Sequence, residues 1–187
     1  MKRLLLLLST LLLFCSIYAA PVSYTPSIAI NGGMNITAFN DNVENEHRAR
    51  INYTLGINAD ILSMTMFDQH RLSLPIAFSY DFKSEVVHYR FIQPKVSLAV
   101  LVEYGYQSKK LLGLSIASGP RYDWYYMTNS ANLALDNTLT LSIKPSKYFS
   151  LGFPITLSLS KLGYEVEARC AIKFYLDPFF KGGVIKR

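Results

Sequence analysis

From Ser27 to Leu176 apolar and polar side chains alternate with a period of two, the mark of strands that present two different faces. Ile28, Ile30, Met34, Ile36 and Ala38 alternate with Ala29, Asn31, Gly33, Asn35 and Thr37, and Ile51 to Ile61 alternates with Asn52 to Asp60. Leu72 to Phe82 alternates with Ser73 to Asp81, and Ile92 and Val96 to Tyr106 with Gln93, Lys95, Ser97, Ala99 and Glu103. Leu112, Leu114, Ile116, Tyr122 and Trp124 oppose Gly113, Ser115, Ala117, Gly119, Arg121 and Asp123. The last three segments set Leu133 to Ile143 against Asn132 to Ser142, Phe149 to Leu159 against Ser150 to Ser160, and Tyr164 to Leu176 against Glu165 to Lys173. No helical period competes. Short polar connections such as Asp68-Gln69-His70 and Lys144-Pro145-Ser146-Lys147 separate the segments. Eight strands joined in this way predict an all-β, antiparallel up-and-down meander that closes into a barrel and so leaves no open edge.

Such a barrel can be built in two ways. A soluble, lipocalin-like barrel packs its apolar face inside and could hold a ligand, whereas a membrane barrel turns that face to lipid and fills its interior with polar groups. Three features favour the second. The polar face is made of small Ser, Thr, Asn, Ala and Gly residues, where a water-facing sheet would carry Lys and Glu, and an eight-stranded interior has room only for small groups around a few charges. The apolar face is too large to pack inside eight strands. Aromatic residues of that face also gather at strand ends, with Tyr53, Tyr80, Phe82, Tyr122, Trp124 and Tyr164 toward one rim and Tyr104, Tyr106, Phe149 and Phe174 toward the other. Two aromatic girdles around an aliphatic band suit the two interfaces of a membrane. The polar side then predicts a lumen charge network of Asp60, Asp81, Lys95, Glu103, Arg121, Asp123, Asp136, Glu165, Glu167, Arg169 and Lys173, paired across strands because an unpaired buried charge is costly.

On this pattern residues 27–176 resemble the small eight-stranded outer-membrane barrels of diderm bacteria, the OmpA membrane-domain, OmpX and OmpW types. The resemblance implies an integral outer-membrane protein held by lipid and inserted by the barrel-assembly machinery. Two features depart from it. Phe174 is followed by Asp177-Pro178-Phe179-Phe180 and a basic tail, residues 177–187, instead of a terminal aromatic, and Pro75, Pro94, Pro120 and Pro154 fall inside strand segments. A strand proline removes a ladder donor, so these are expected at bulges or at strand ends beyond the bilayer.

The N-terminus fits export. Met1-Lys2-Arg3, the apolar run Leu4–Phe14 and the small-residue exit to Ala20 describe a signal peptide over residues 1–20, which leaves 21–187 as one barrel domain. Losing Lys2 and Arg3 leaves 17 of the 19 basic residues against 13 acidic ones, a charge of +4 with no basic stripe, so nucleic acid is not an expected partner. Of the two cysteines, Cys15 falls in the signal segment expected to be removed and Cys170 on the apolar face, which excludes a disulfide framework.

No chemistry stands out. The three histidines, His47, His70 and His88, match no His-x-Ser deacylase spacing, and there is no phosphate loop, CxxC or zinc spacing, so no catalytic residue, metal or cofactor is expected. The expected function is a structural or interaction role with a largely plugged lumen. A narrow OmpW-like channel for small or hydrophobic solutes is the alternative, and a soluble ligand-binding barrel is the second alternative. Long inward side chains on the fourth and eighth segments facing small ones on the fifth and seventh argue for the plug.

Overall fold

The computed structural model describes residues 22–39, 49–82, 94–108, 111–161 and 163–176. It contains β1 (Val22–Tyr24), β2 (Ser27–Phe39), β3 (Ala49–Met66), β4 (His70–Phe82), β5 (Lys95–Val100), β6 (Val102–Gln107), β7 (Leu112–Tyr125), β8 (Ser130–Ile143), β9 (Phe149–Ser160) and β10 (Gly163–Tyr175). From β2 to β10 the strands pair antiparallel in chain order, with β5 and β6 each lying between β4 and β7, and β10 pairs with β2 to close the sheet. β5 and β6 are two halves of one stave, so the barrel has eight staves; β1 is a short N-terminal flank on β3.

The register is staggered. Following partners from Ser63 through Ser73, Glu103, Ala117, Thr138, Thr156, Glu167 and Asn35 leads back to β3 at Asn52, so one circuit climbs the strand instead of closing on itself. That stagger tilts the strands and sets the width of the lumen. One end, here the terminal end, carries both ends of the described chain, the turns 67–69 and 144–148, and the end of β6 with the start of β7. The other, the loop end, carries the turn 126–129 and the connections 40–48 and 83–93, which lie outside the described residues.

Two local devices shape the wall. A β-bulge in β3 between Ala59 and Leu62 puts Ile61 and Leu62 side by side on the outer face, and the inward positions change from even to odd numbers there. The prolines form the second device, and the expectation that they lie at bulges or strand ends needs correcting. Pro94 precedes β5, but Pro75, Pro120 and Pro154 sit well inside their strands. Leu101, between β5 and β6, donates its N–H to the Pro75 carbonyl at 3.0 Å, but Pro75 has no N–H to return the bond. On its other side the β7 pairing lapses at Gly119 and Pro120. With donors missing from both neighbours, the fourth stave breaks into two strands.

The same arrangement recurs four staves away. The β9–β10 pairing lapses between Ile155 and Gly152, around Pro154, while Arg169 of β10 pairs with Gly33 of β2 on its other side. A Cβ at Gly33 would overlap the Ala168 carbonyl, and one at Gly119 would overlap the Val100 carbonyl. Only glycine allows backbones to come so close. The barrel therefore turns two tight corners on opposite sides, each built from a glycine on one neighbour and a proline on the other.

Candidate functional site: the lumen

Exposure is inverted relative to a water-soluble protein. Among the described residues the buried apolar side chains are Ala29, Ala99, Leu101, Ala117, Ala134 and Tyr175, whereas buried polar and charged ones are several times more numerous. The outer face is Leu, Ile, Val, Met and aromatic side chains, many about half exposed. Tyr53, Tyr80, Phe82, Tyr122, Trp124 and Tyr164 ring the loop end, where Tyr126 joins them through a 2.8 Å hydroxyl contact with Tyr80. Tyr104, Tyr106, Phe149 and Phe174 ring the terminal end, and the Tyr104 hydroxyl lies 2.7 Å from Nδ1 of His70. Cys170 is exposed on this outer face. His47, His88, the segment 1–20 and the tail 177–187 lie outside the described residues.

The eleven charges expected inside, joined by Arg71, fall into two groups along the barrel. At the loop end Lys95 Nζ sits 2.6 Å from Glu165, 3.5 Å from Asp81 and 3.6 Å from Asp123. Lys95 and Glu165 come from staves on opposite sides, so this pair crosses the lumen. Arg121 lies 2.8 Å from Asp123, 3.3 Å from Glu165 and 3.4 Å from Asp136, and it donates to the Ser158 hydroxyl at 2.8 Å. Ser97 donates to Asp123 and Asn35 to Asp81, each at 2.7 Å. Just below, Arg169 pairs with Glu167 and donates to Asn31 at 2.9 Å. The six charged residues of the first layer, Asp81, Lys95, Arg121, Asp123, Asp136 and Glu165, are all buried.

At the terminal end Asp60 is the hub. It accepts from Arg71 at 2.9 Å, from Lys173 at 3.0 Å and from the Ser27 hydroxyl at 2.9 Å, while Glu103 lies 3.7 Å from Lys173. Arg71 also donates to Ser63 and Ser27, each at 2.7 Å. Sequence reasoning missed Arg71, although the alternation that places Ser73 and Asp81 inward includes it when carried one step before Leu72. It also missed Leu101, an apolar side chain on the polar face, and Tyr175, whose hydroxyl meets Ser150 at 3.2 Å and whose ring lies 4.0 Å from the Lys144 ammonium.

Below the loop-end layer lies a cavity of about 190 Å³. Gly105, Ser115, Thr140, Ser142 and Gly152 line its flanks, and Lys144, Gln107 and Tyr175 line its terminal end. Arg121, Asp136 and Glu167 bound it from above. The interior is thus filled by side chains toward the loop end and hollow below them. Among the described residues no group of His, Cys, Asp and Glu is arranged to hold a metal ion.

An eight-stranded up-and-down barrel with apolar outside and charged inside is the fold of the small outer-membrane barrels. The chain is similar to the solved structure of Neisserial surface protein A (NspA), with a TM-score of 0.52 at 10% identity over 82% of this chain and 97% of that one. The attachment invasion locus protein Ail of Yersinia pestis aligns with a TM-score of 0.48 at 10% identity, over 80% of this chain and 97% of that one. No protein-family model matches the chain, and no curated protein matches it by sequence. At this identity the likeness carries the fold and nothing finer.

Proposed function

We propose that the protein is an integral outer-membrane barrel with a structural or interaction role, its lumen closed at the loop end by the Lys95–Arg121 charge cluster and open as a blind funnel at the terminal end, which faces the periplasm. The inverted exposure carries this reading. A monomer in water rarely shows an apolar patch of more than a few hundred Å², and here an apolar band encircles every stave between two aromatic rings. The outward face of β4 illustrates the arrangement, aliphatic from Leu72 to Ile76 and finishing on Tyr80 and Phe82. Lipid removes the exposure penalty, and the closed ladder meets the need for internal hydrogen bonding in a bilayer. The crossing of Lys95 to Glu165 supports the closure, because a solute would have to part buried ion pairs to pass.

The cavity gives one specific observation in favour of the channel reading, since a shift of the charge cluster would extend it through the barrel. Planar-bilayer recording separates the two. The purified protein should require detergent for extraction and give no steady single-channel conductance. A reproducible conductance from the unmodified protein would make it a narrow channel, and recovery without detergent from the soluble periplasmic fraction would return the soluble barrel.

A further inference from the structure

Between the two aromatic rings the outward face of the described residues is apolar on every stave except at one place. Ser118 of β7 and Asn137 of β8 are direct cross-strand partners, both exposed, and the Ser118 hydroxyl donates to the Asn137 carbonyl oxygen at 2.9 Å. Both lie near the middle of their strands, with Leu114, Ile116, Leu139 and Leu141 on the terminal side and Leu133, Leu135, Tyr122 and Trp124 on the loop side. In a membrane that is the hydrocarbon midplane, where no water or headgroup can reach. The bond to Ser118 is the one hydrogen bond Asn137's side chain makes among the described residues. A carboxamide has two donors and an acceptor, so whichever way it is set, part of its capacity faces lipid that offers nothing in return.

We propose that the β7–β8 face is where two copies of this chain associate, with Asn137 meeting Asn137 across a two-fold axis along the membrane normal. The inference rests on the lipid-facing reading above. Copies inserted in one membrane share an orientation, so a two-fold along the normal brings each residue to its counterpart at the same depth. Asn is self-complementary in that arrangement, since each carboxamide donates to and accepts from the other. A second copy therefore supplies the missing partner at the right depth. Ser118, Pro120 and Asn137 are also small beside the surrounding Leu and Ile, so they leave a shallow dip in which two sheets can approach closely. The hairpin that carries them is the most continuously paired seam of the barrel, unbroken from Leu112↔Ile143 to Tyr125↔Ser130. The face is thus a stiff platform, unlike the interrupted β5–β7 and β9–β10 seams.

The test uses the full chain with Cys15 and Cys170 replaced by Ser, and Met127→Cys in the β7–β8 turn carrying donor or acceptor dye. Two labelled populations are reconstituted together in phosphatidylcholine vesicles, and flotation is measured on the same samples. Energy transfer should appear at high protein-to-lipid ratio and fall on dilution with lipid. Asn137→Leu should float equally well and move the midpoint to about tenfold higher protein-to-lipid ratio, while Ile57→Leu, on the opposite side of the barrel, should leave the midpoint unchanged. In a second readout, Leu135→Cys should form disulfide dimers and Ile57→Cys should not. Flotation without transfer at any ratio, or an unchanged midpoint in Asn137→Leu, would overturn the proposal and leave the membrane reading standing. Failure to float would remove both.

Discussion

The two ends of the lumen use the same residue types and reach opposite results. At the loop end two cations, Lys95 and Arg121, serve four carboxylates, and all six side chains are nearly shut off from solvent. At the terminal end Arg71 and Lys173 serve Asp60 and Glu103, and three of these four keep 12 to 21% of their side chains exposed beside the cavity. The difference lies in their neighbours. Around Lys95 and Arg121 the inward positions hold further long or branched polar groups such as Asn35, Asn52, Thr54 and Glu167. Around Lys173 they hold Gly105, Gly113, Ser142, Ser150 and Gly152, which cannot reach across. Side-chain length at alternate positions therefore decides where the interior of a narrow barrel is filled by side chains and where it stays hollow.

The largest test of that contrast is Arg121→Leu. Removing this buried cation leaves Asp136 without a cation and Asp123 and Glu165 with Lys95 alone, and breaking a buried pair in this way costs roughly 3–5 kcal/mol. Urea unfolding, followed by gel mobility of unboiled samples and by the fluorescence of Trp124, should show a loss of that size. A loss under about 1 kcal/mol would mean that water reaches the cluster and that the loop end is no drier than the other.

A smaller effect separates wall from cavity. A Cβ at Gly119 would overlap backbone of the neighbouring stave, whereas at Gly152 the nearest heavy atom is the Thr140 methyl at 3.5 Å. Gly119→Ala should therefore cost roughly 1–3 kcal/mol through forced backbone shifts. Gly152→Ala, which meets only ordinary van der Waals contacts, should stay within about 0.5 kcal/mol. Equal losses in the same urea assay would show that the corner at Gly119 is not a close contact.

Much of this fold is written in local order, and much of the lumen is not. Alternation along β7, β8 and β9, broken only at a few positions such as Ser118 and Asn137, gives strand, face and approximate ends directly, because a one-residue slip would reverse every side chain. The bulge in β3 is hidden because Ile61 and Leu62 are both apolar, so the pattern blurs where its phase changes. The break at Leu101 is hidden for another reason. Its causes, Pro75 and Pro120, lie on the two neighbouring staves, and only the register brings them together. The pairing of charges is equally non-local. Lys95 meets Glu165 seventy residues away, and nothing in either segment names the other. Arg71 escaped because its strand begins two residues before the clear run from Leu72.

The smallest expected effect belongs to Lys173→Met, and it bears most directly on the difference between the two ends. Lys173 approaches Asp60 at 3.0 Å, but Asp60 also holds Arg71 at 2.9 Å and the Ser27 hydroxyl at 2.9 Å. Losing the ammonium leaves the carboxylate with a cation and a donor, and its surroundings open on the cavity. Water entering from the terminal end can solvate what the lysine gives up, as it does for exposed pairs elsewhere. The thioether chain of Met also keeps most of the packing. The expected loss is therefore about 1 kcal/mol or less, the range of solvent-accessible ion pairs, measured in the same urea titration as Arg121→Leu. If Lys173→Met instead costs as much as Arg121→Leu, water does not reach Asp60 through the funnel. The terminal end would then be as dry as the loop end, and side-chain length alone would not explain where the lumen closes.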